Sequence, residues 1–300
     1  TGDDAEPDTL DPRQMPALSL RTKEFGLGER RFGAVEAEFV HDDEGLVADS
    51  IVATDPTFNI QANARWQADP ADPLGSRAGL SAVLTSNDVA TTMSRLGYDP
   101  GIVSDEMRIE LDTRWSGGPH GRFLETMDGT VAVTLGAGQL NEVDPGAGRV
   151  FGLMSLGALP RRLSLDFRDV FQKGFGFDAI SGTFRLDDGT AYTCDLSLVG
   201  PAADIGIIGQ ADLVNGTYSQ AAVVSANLGN TLPVVGAIAA GPQVAAAMFV
   251  FSQIFKKPLK EVGQVYYSMS GPWDSPVVDA ADAGAFASSA ELAGCLDETG

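Results

Sequence analysis

The sequence predicts a mainly β protein with inserted α-helices, built on a long antiparallel sheet with one dry and one wet face. Three observations predict it. Segments such as "FGAVEAEFVHDDEGLVADSIVAT" and "FNIQANARWQ" alternate apolar and polar residues, the period of a half-buried strand. Turn residues separate these segments, among them Asp55-Pro56, Asp128-Gly129, Asp188-Gly189 and Asn215-Gly216, which supply the dihedrals that tight turns need. Only a few stretches change to helical spacing. Such a sheet must either fold onto a second sheet, as in a sandwich, or curl around something.

In chain order, residues 1–14 are acidic and carry proline. They lack the basic and apolar regions of a signal peptide and read as a linker within a longer protein. A β region with one helix follows over 15–145. Its strands include "LSLRTKEFGLG" and "GLSAVLTS", and its helix lies in "SNDVATTMSRLGY". There Ser86 or Asn87 serves as N-cap, Val89, Met93 and Leu96 share a face, and Gly97 is the stop. "DEMRIELDTRWSG" and "FLETMDGTVAVTLGAGQL" return to strand. Residues 146–273 form a second module. It opens with a helix on Val150, Leu153, Met154 and Leu156 that ends at Pro160. Four strands in "FGFDAISGTFRLDD", "TAYTCDLSLVG", "ADIGIIGQADLV" and "GTYSQAAVVSANL" follow, and "GQVYYSMSG" is the last. Residues 274–300, rich in Ala and Asp, read as a disordered tail.

The chain carries 41 acidic and 20 basic residues, a formal net charge of -21. Nucleic acid is a poor partner, because phosphate binding needs a basic patch. An anionic membrane surface repels the same charge, so any lipid contact has to be apolar. Cys194 and Cys295 form no C-x-x-C pair, and nothing indicates a metal or redox site. Pairing them requires an oxidising compartment, and free thiols are the preferred reading. His41 and His120 fall in loops. No nucleophile elbow, H-E-x-x-H or Walker loop is present. The sequence therefore indicates neither an enzyme nor a cofactor.

One stretch departs from this texture. Residues 213–255 contain no Asp, Glu, Lys or Arg. Within it, "TLPVVGAIAAGPQVAAAMFVFSQIFKKP" reads as two helices, 232–240 and 242–255, broken at Gly241-Pro242. The second is about 20 Å long, short of a bilayer core of about 30 Å. Val244, Met248, Phe251 and Phe255 recur at helical spacing, and the helix is apolar nearly all round. Such a helix is buried in a core or set against lipid, and the residues leave both open.

"GAGRVFGLMSLGALPRRLSLDFRDVFQKGFGFDAISGTFRLDDGTAYTCDLSLVG", with the later "LPVVGAIAAGPQVAAAMFVFSQIFKKPL" and "VYYSMSGPWDSPVV", resembles the C-terminal region of the YhdP family of AsmA-like proteins. The resemblance extends over residues 11–279. It implies an elongated, curled antiparallel sheet, the AsmA-like repeating β-groove, closed by apolar helices near its C-terminal end. It implies no cofactor and no catalysis. Members look like bridge-type lipid transporters of Gram-negative bacteria, anchored in the inner membrane by an N-terminal helix absent from this chain. They cross the periplasm and carry phospholipid between inner and outer membranes. The expected partners are phospholipids and the inner leaflet of the outer membrane, or a protein on that side.

Strand alternation then places Phe175, Phe177, Leu196, Leu198, Ile205, Ile207, Ala222 and Val224 in the groove, although a one-residue slip would reverse the face. The helices bearing Val235, Ile238, Met248, Phe249, Phe251 and Phe255 would cap the groove or face the membrane. The competing reading is a non-catalytic periplasmic scaffold or partner-binding β domain whose apolar helices are packed as core.

Overall fold

The alternation in the sequence becomes thirteen strands joined edge to edge. The computed structural model describes residues 10–119, 123–141, 175–226 and 264–297. The large sheet contains β1 (Leu18–Leu27), β2 (Arg30–His41), β3 (Gly45–Thr54), β4 (Phe58–Ala68), β5 (Ser76–Ser86), β7 (Met107–Ser116) and β8 (Asp128–Leu135). It continues through β11 (Ala179–Asp187), β12 (Thr190–Val199), β13 (Ala203–Asp212), β14 (Thr217–Ala226), β15 (Gln264–Pro272) and β16 (Val277–Ala281). Every neighbouring pair is antiparallel, in chain order. β1 and β16 lie at opposite ends of the order, so the sheet is open and not a closed barrel. β8 pairs directly with β11, and the sheet passes without a break through the expected division near residue 146. Among the described residues no sandwich of two large sheets forms. The second sheet is small: β6 (Ile102–Ser104), β9 (Gly138–Leu140) and β10 (Phe175–Phe177).

The register sorts side chains by face. One row of partners runs Leu20, Ala37, Ile51, Ala62, Ala82, Leu111, Val131 and Phe184. The row beside it, on the opposite face, runs Asn63, Ser81, Asp112, Thr130 and Arg185. One face is dry and the other wet, as antiparallel sheets allow. β3 and β12 each carry an extra residue against both neighbours, between Ala48 and Ile51 and between Thr193 and Leu196. Bulges of this kind bend a strand and increase its twist. At the second, the Asp195 carboxylate accepts a hydrogen bond from the Thr183 backbone N–H at 2.7 Å, satisfying a donor that the irregular ladder frees.

Helix α1 (Val89–Arg95) connects β5 to β6. Its N-cap is Asp88, not Ser86 or Asn87: the Asp88 carboxylate accepts from the Thr91 N–H at 3.0 Å. Ser86 instead hydrogen-bonds the Thr92 hydroxyl at 2.8 Å, holding the helix to the strand it leaves. Gly97 ends the turn at φ 81°, where glycine is favoured. "FGFDAISGTFRLDD", read as one strand, is divided at Asp178 between β10 and β11. The small sheet tolerates only glycine at 138, since a Cβ there would run into the Val103 backbone and the Phe177 ring.

The tail is ordered up to Asp297, contrary to the composition-based reading. After β16 come α2 (Ala283–Ala287) and α3 (Ala290–Asp297). Phe286, Leu292 and Cys295 pack there against Ile208, Ala221, Val223 and Tyr266 on the outer face. The free-thiol reading is also overturned: Cys194 and Cys295 form a disulfide, with Cα atoms 5.6 Å apart. Their separation of 101 residues concealed a proximity that only the sheet creates. Pro12, in the expected linker, is buried and caps β3 and β4 through a short 3-10 turn.

The expected helices at 150–160 and 232–255, including Val235, Ile238, Met248, Phe249, Phe251 and Phe255, lie outside the described residues, as does His120. Among the described residues no helix is long and apolar enough to cross a membrane.

Candidate functional site: an apolar face along the sheet

The dry face changes character along the sheet. Over β4, β5, β7 and β8 its central residues Ile60, Leu84, Ile109, Leu111 and Val131 are only half-buried, whereas Val133, opposite Ile109, is buried. Both ends of these strands are closed. At one end Trp66, Ala78 and Trp115 form a buried cluster, with the Trp66 indole N–H donating to the Ser76 hydroxyl at 3.1 Å and that of Trp115 to the Gly118 carbonyl at 2.8 Å. At the other, Phe58 is buried, and Met107 and Leu135 cluster with Val89 of α1 and with Ile102 and Leu140 of the small sheet. An open apolar strip thus runs across the strands between two closed margins.

Over β11–β14 the same face is fully packed. Six of the sequence-predicted residues, Leu196, Leu198, Ile205, Ile207, Ala222 and Val224, lie on it and are buried. Register brings them together, as Leu196–Ile207–Ala222 and Leu198–Ile205–Val224. Phe175 and Phe177 stand apart on the small sheet, but are buried in the same cluster. The sequence reading missed the half-buried residues of β4–β8. Their signal was available in the alternation of "FNIQANARWQ" and "DEMRIELDTRWSG".

Charge stays off this face. Arg95 bridges Asp55 at 2.7 Å and Glu24 at 3.0 Å, tying α1 to β1 and to the β3–β4 turn. The His41 ring meets the Met15 carbonyl at the end of β2. A depression of about 510 Å³ lies on the wet side, lined by Asp49, Asn63, Ser81, Glu110 and Asp112. It is open and mixed in character, with Val52, Val83 and Ala132 among the polar groups, and it lies across the sheet from the strip. Among the described residues no group of His, Cys, Asp or Glu is placed to hold a metal ion.

The fold and the strip define a class: a large open antiparallel sheet that presents a continuous apolar face. Residues 2–278 match the family model described as YhdP protein, and the chain belongs to the YhdP family. It is similar to the intermembrane phospholipid transporter YhdP of Escherichia coli (strain K12), with 28% identity over 268 residues. That alignment covers 89% of this chain and 21% of the relative, so the chain spans about a fifth of the relative's length. No solved structure matches. Neither comparison points to a catalytic family.

Proposed function

We propose that this chain is part of an envelope-spanning lipid transporter and shields phospholipid acyl chains on the dry face of its sheet, which curls into a groove. The half-buried strip over β4–β8 carries this reading. A folded protein normally hides contiguous apolar surface, and a strip left open marks a binding site. Acyl burial is worth about 0.8 kcal/mol per methylene, so an apolar path lowers the barrier for moving a lipid through water. The acidic wet face keeps the exterior solvated.

The transported ligand is phospholipid, the location is the periplasm, and the protein is anchored in the inner membrane by a helix. The residues 232–255 cap the groove or meet the inner leaflet of the outer membrane, or a protein there. Leu196, Leu198, Ile205, Ile207, Ala222 and Val224 form the packed, closed end of the groove, with Phe175 and Phe177 beside it. The role needs no catalytic residue, cofactor or metal.

The scaffold reading draws on a different observation, the complete burial of Leu196, Leu198, Ile207 and Ala222. Native mass spectrometry with lipid extraction on periplasmically expressed protein separates the two. Bound phospholipid that is lost in Leu111→Asp, with the fold retained by circular dichroism, supports transport. Protein that is lipid-free and takes up none from vesicles supports the scaffold.

A further inference from the structure

Along the row Leu111–Val131–Phe184 the open strip stops abruptly between β8 and β11. Val131 is half-buried, and its direct partner across the strand pair, Phe184, is 0% exposed. On the neighbouring row the change comes one strand earlier, because Val133 of β8, the partner of Gly182, is already buried, and Leu135 beside it is closed as well.

The strand geometry explains the wall. Gly182 lies on the same face, opposite Val133, and contributes no side chain. Leu196 of β12 fills that space. A Cβ on Gly182 would lie 2.9 Å from the Leu196 Cα and 3.0 Å from its Cδ1. Leu196 immediately follows the β12 bulge, which displaces it relative to a regular ladder. Phe184 and Leu196 therefore stand side by side where the strip would otherwise continue.

The geometry points to Phe184, backed by Leu196, as the stop of the groove: acyl chains lie over β4–β8 and end against this ring. The β8–β11 junction is then where a lipid must turn out of the groove or wait for the wall to move. This inference rests on the lipid-carrying reading above. It assigns Phe184 a positioning role, limiting how far a chain can penetrate toward β13 and β14.

The test uses a phosphatidylethanolamine carrying a diazirine at its acyl terminus, delivered in vesicles of phosphatidylethanolamine and phosphatidylglycerol. Labelled residues are mapped by peptide mass spectrometry. In the unmodified chain, label is expected on Ile60, Leu84, Leu111 or Val131 and not on Leu196, Ile207 or Ala222. In Phe184→Ala, label at Ile207 should rise from background to the level seen at Leu111. Circular dichroism monitors folding, and Phe184→Val carries the same comparison should the alanine variant unfold.

Label at Ile207 in the unmodified chain overturns the stop and leaves the lipid-carrying reading intact. So does a folded Phe184 variant in which label remains confined to β4–β8. No label anywhere removes the lipid-carrying reading, and the stop with it.

Discussion

Cys194 of β12 and Cys295 of α3 are joined across 101 residues, and the bond fastens the tail helices to the outer face of the sheet. Those helices cover Ile208, Ala221 and Val223, on strands whose other face is already buried. The strands β13 and β14 are thus dry on both sides, which accounts for the near-continuous apolar runs "IGII" and "AAVV". Disulfides persist in oxidising compartments such as the periplasm, in keeping with the proposed location.

Breaking this bond should destabilise the protein and release the tail. Closing a loop of about 100 residues is worth about 4.7 kcal/mol in the chain-entropy model, and losses of about 2–5 kcal/mol are typical. Cys295→Ser should lower the urea midpoint accordingly. Hydrogen exchange should accelerate over 283–297 before the rest of the sheet.

Truncating the dry face should cost unequal amounts along the sheet. Phe184→Ala removes a fully buried ring and should cost about 3–5 kcal/mol. Leu111→Ala, at a half-buried site, should fall below the roughly 2 kcal/mol at which fully buried leucine truncations begin. Urea titration of the two variants measures the contrast. Equal losses would mean that the strip over β4–β8 is as closed as the rest.

Acid should weaken the fold through hydrogen-bonded carboxylates. The Thr91 backbone N–H, then its hydroxyl, holds Asp88 below the ordinary value of 3.8, and the Glu44 and Gly45 N–H groups do the same for Asp42. Burial pushes Asp212 up, but hydrogen bonds from Asn215 and Val214 outweigh it and leave the group lowered. A depressed folded value means that the unfolded chain binds more protons as pH falls. The contribution is complete above the unfolded value and is lost as pH drops through 3.8 toward the folded one. Asp88→Asn retains a cap but cannot titrate, so its stability between pH 5 and pH 2 should fall less steeply, as followed by urea titration.

Alkali should act through two consecutive phenols of β15, one on each face of the sheet. Burial raises Tyr266 and Tyr267 above 10.0, because ionising a buried phenol is unfavourable. Their contribution is complete below pH 10 and is lost as pH rises through the raised folded values. Tyr266→Phe, keeping the ring that lies 5.0 Å from Phe286, should show a weaker alkaline loss in thermal melts.

Much of this fold was legible in the sequence because a half-buried strand writes its period locally. The alternation around Ala34–Phe39 and the turn at Asp188-Gly189 mark β2 and the β11–β12 hairpin without reference to anything distant. The dry face of β12–β14 was legible for the same reason, through Leu196, Ile207 and Ala222. What stayed hidden depends on tertiary contact. Phe286, Leu292 and Cys295 looked solvated among Ala and Asp until an outer sheet face lay beneath them. The open strip was missed for a related reason: Leu111 and Leu198 alternate identically, and only packing separates half-buried from buried. The bulge before Leu196 has no local signal.

The most direct test of the central claim uses the indoles at the margin of the strip. In Trp273→Phe protein only Trp66 and Trp115 remain, both beside the proposed acyl path. Their fluorescence is measured while phosphatidylcholine brominated on its acyl chains is added. Acyl chains lying over β4–β8 should quench it, and Leu111→Asp, with its fold intact, should abolish the effect. Undiminished fluorescence at saturating brominated lipid, or equal quenching in Leu111→Asp, would contradict the account.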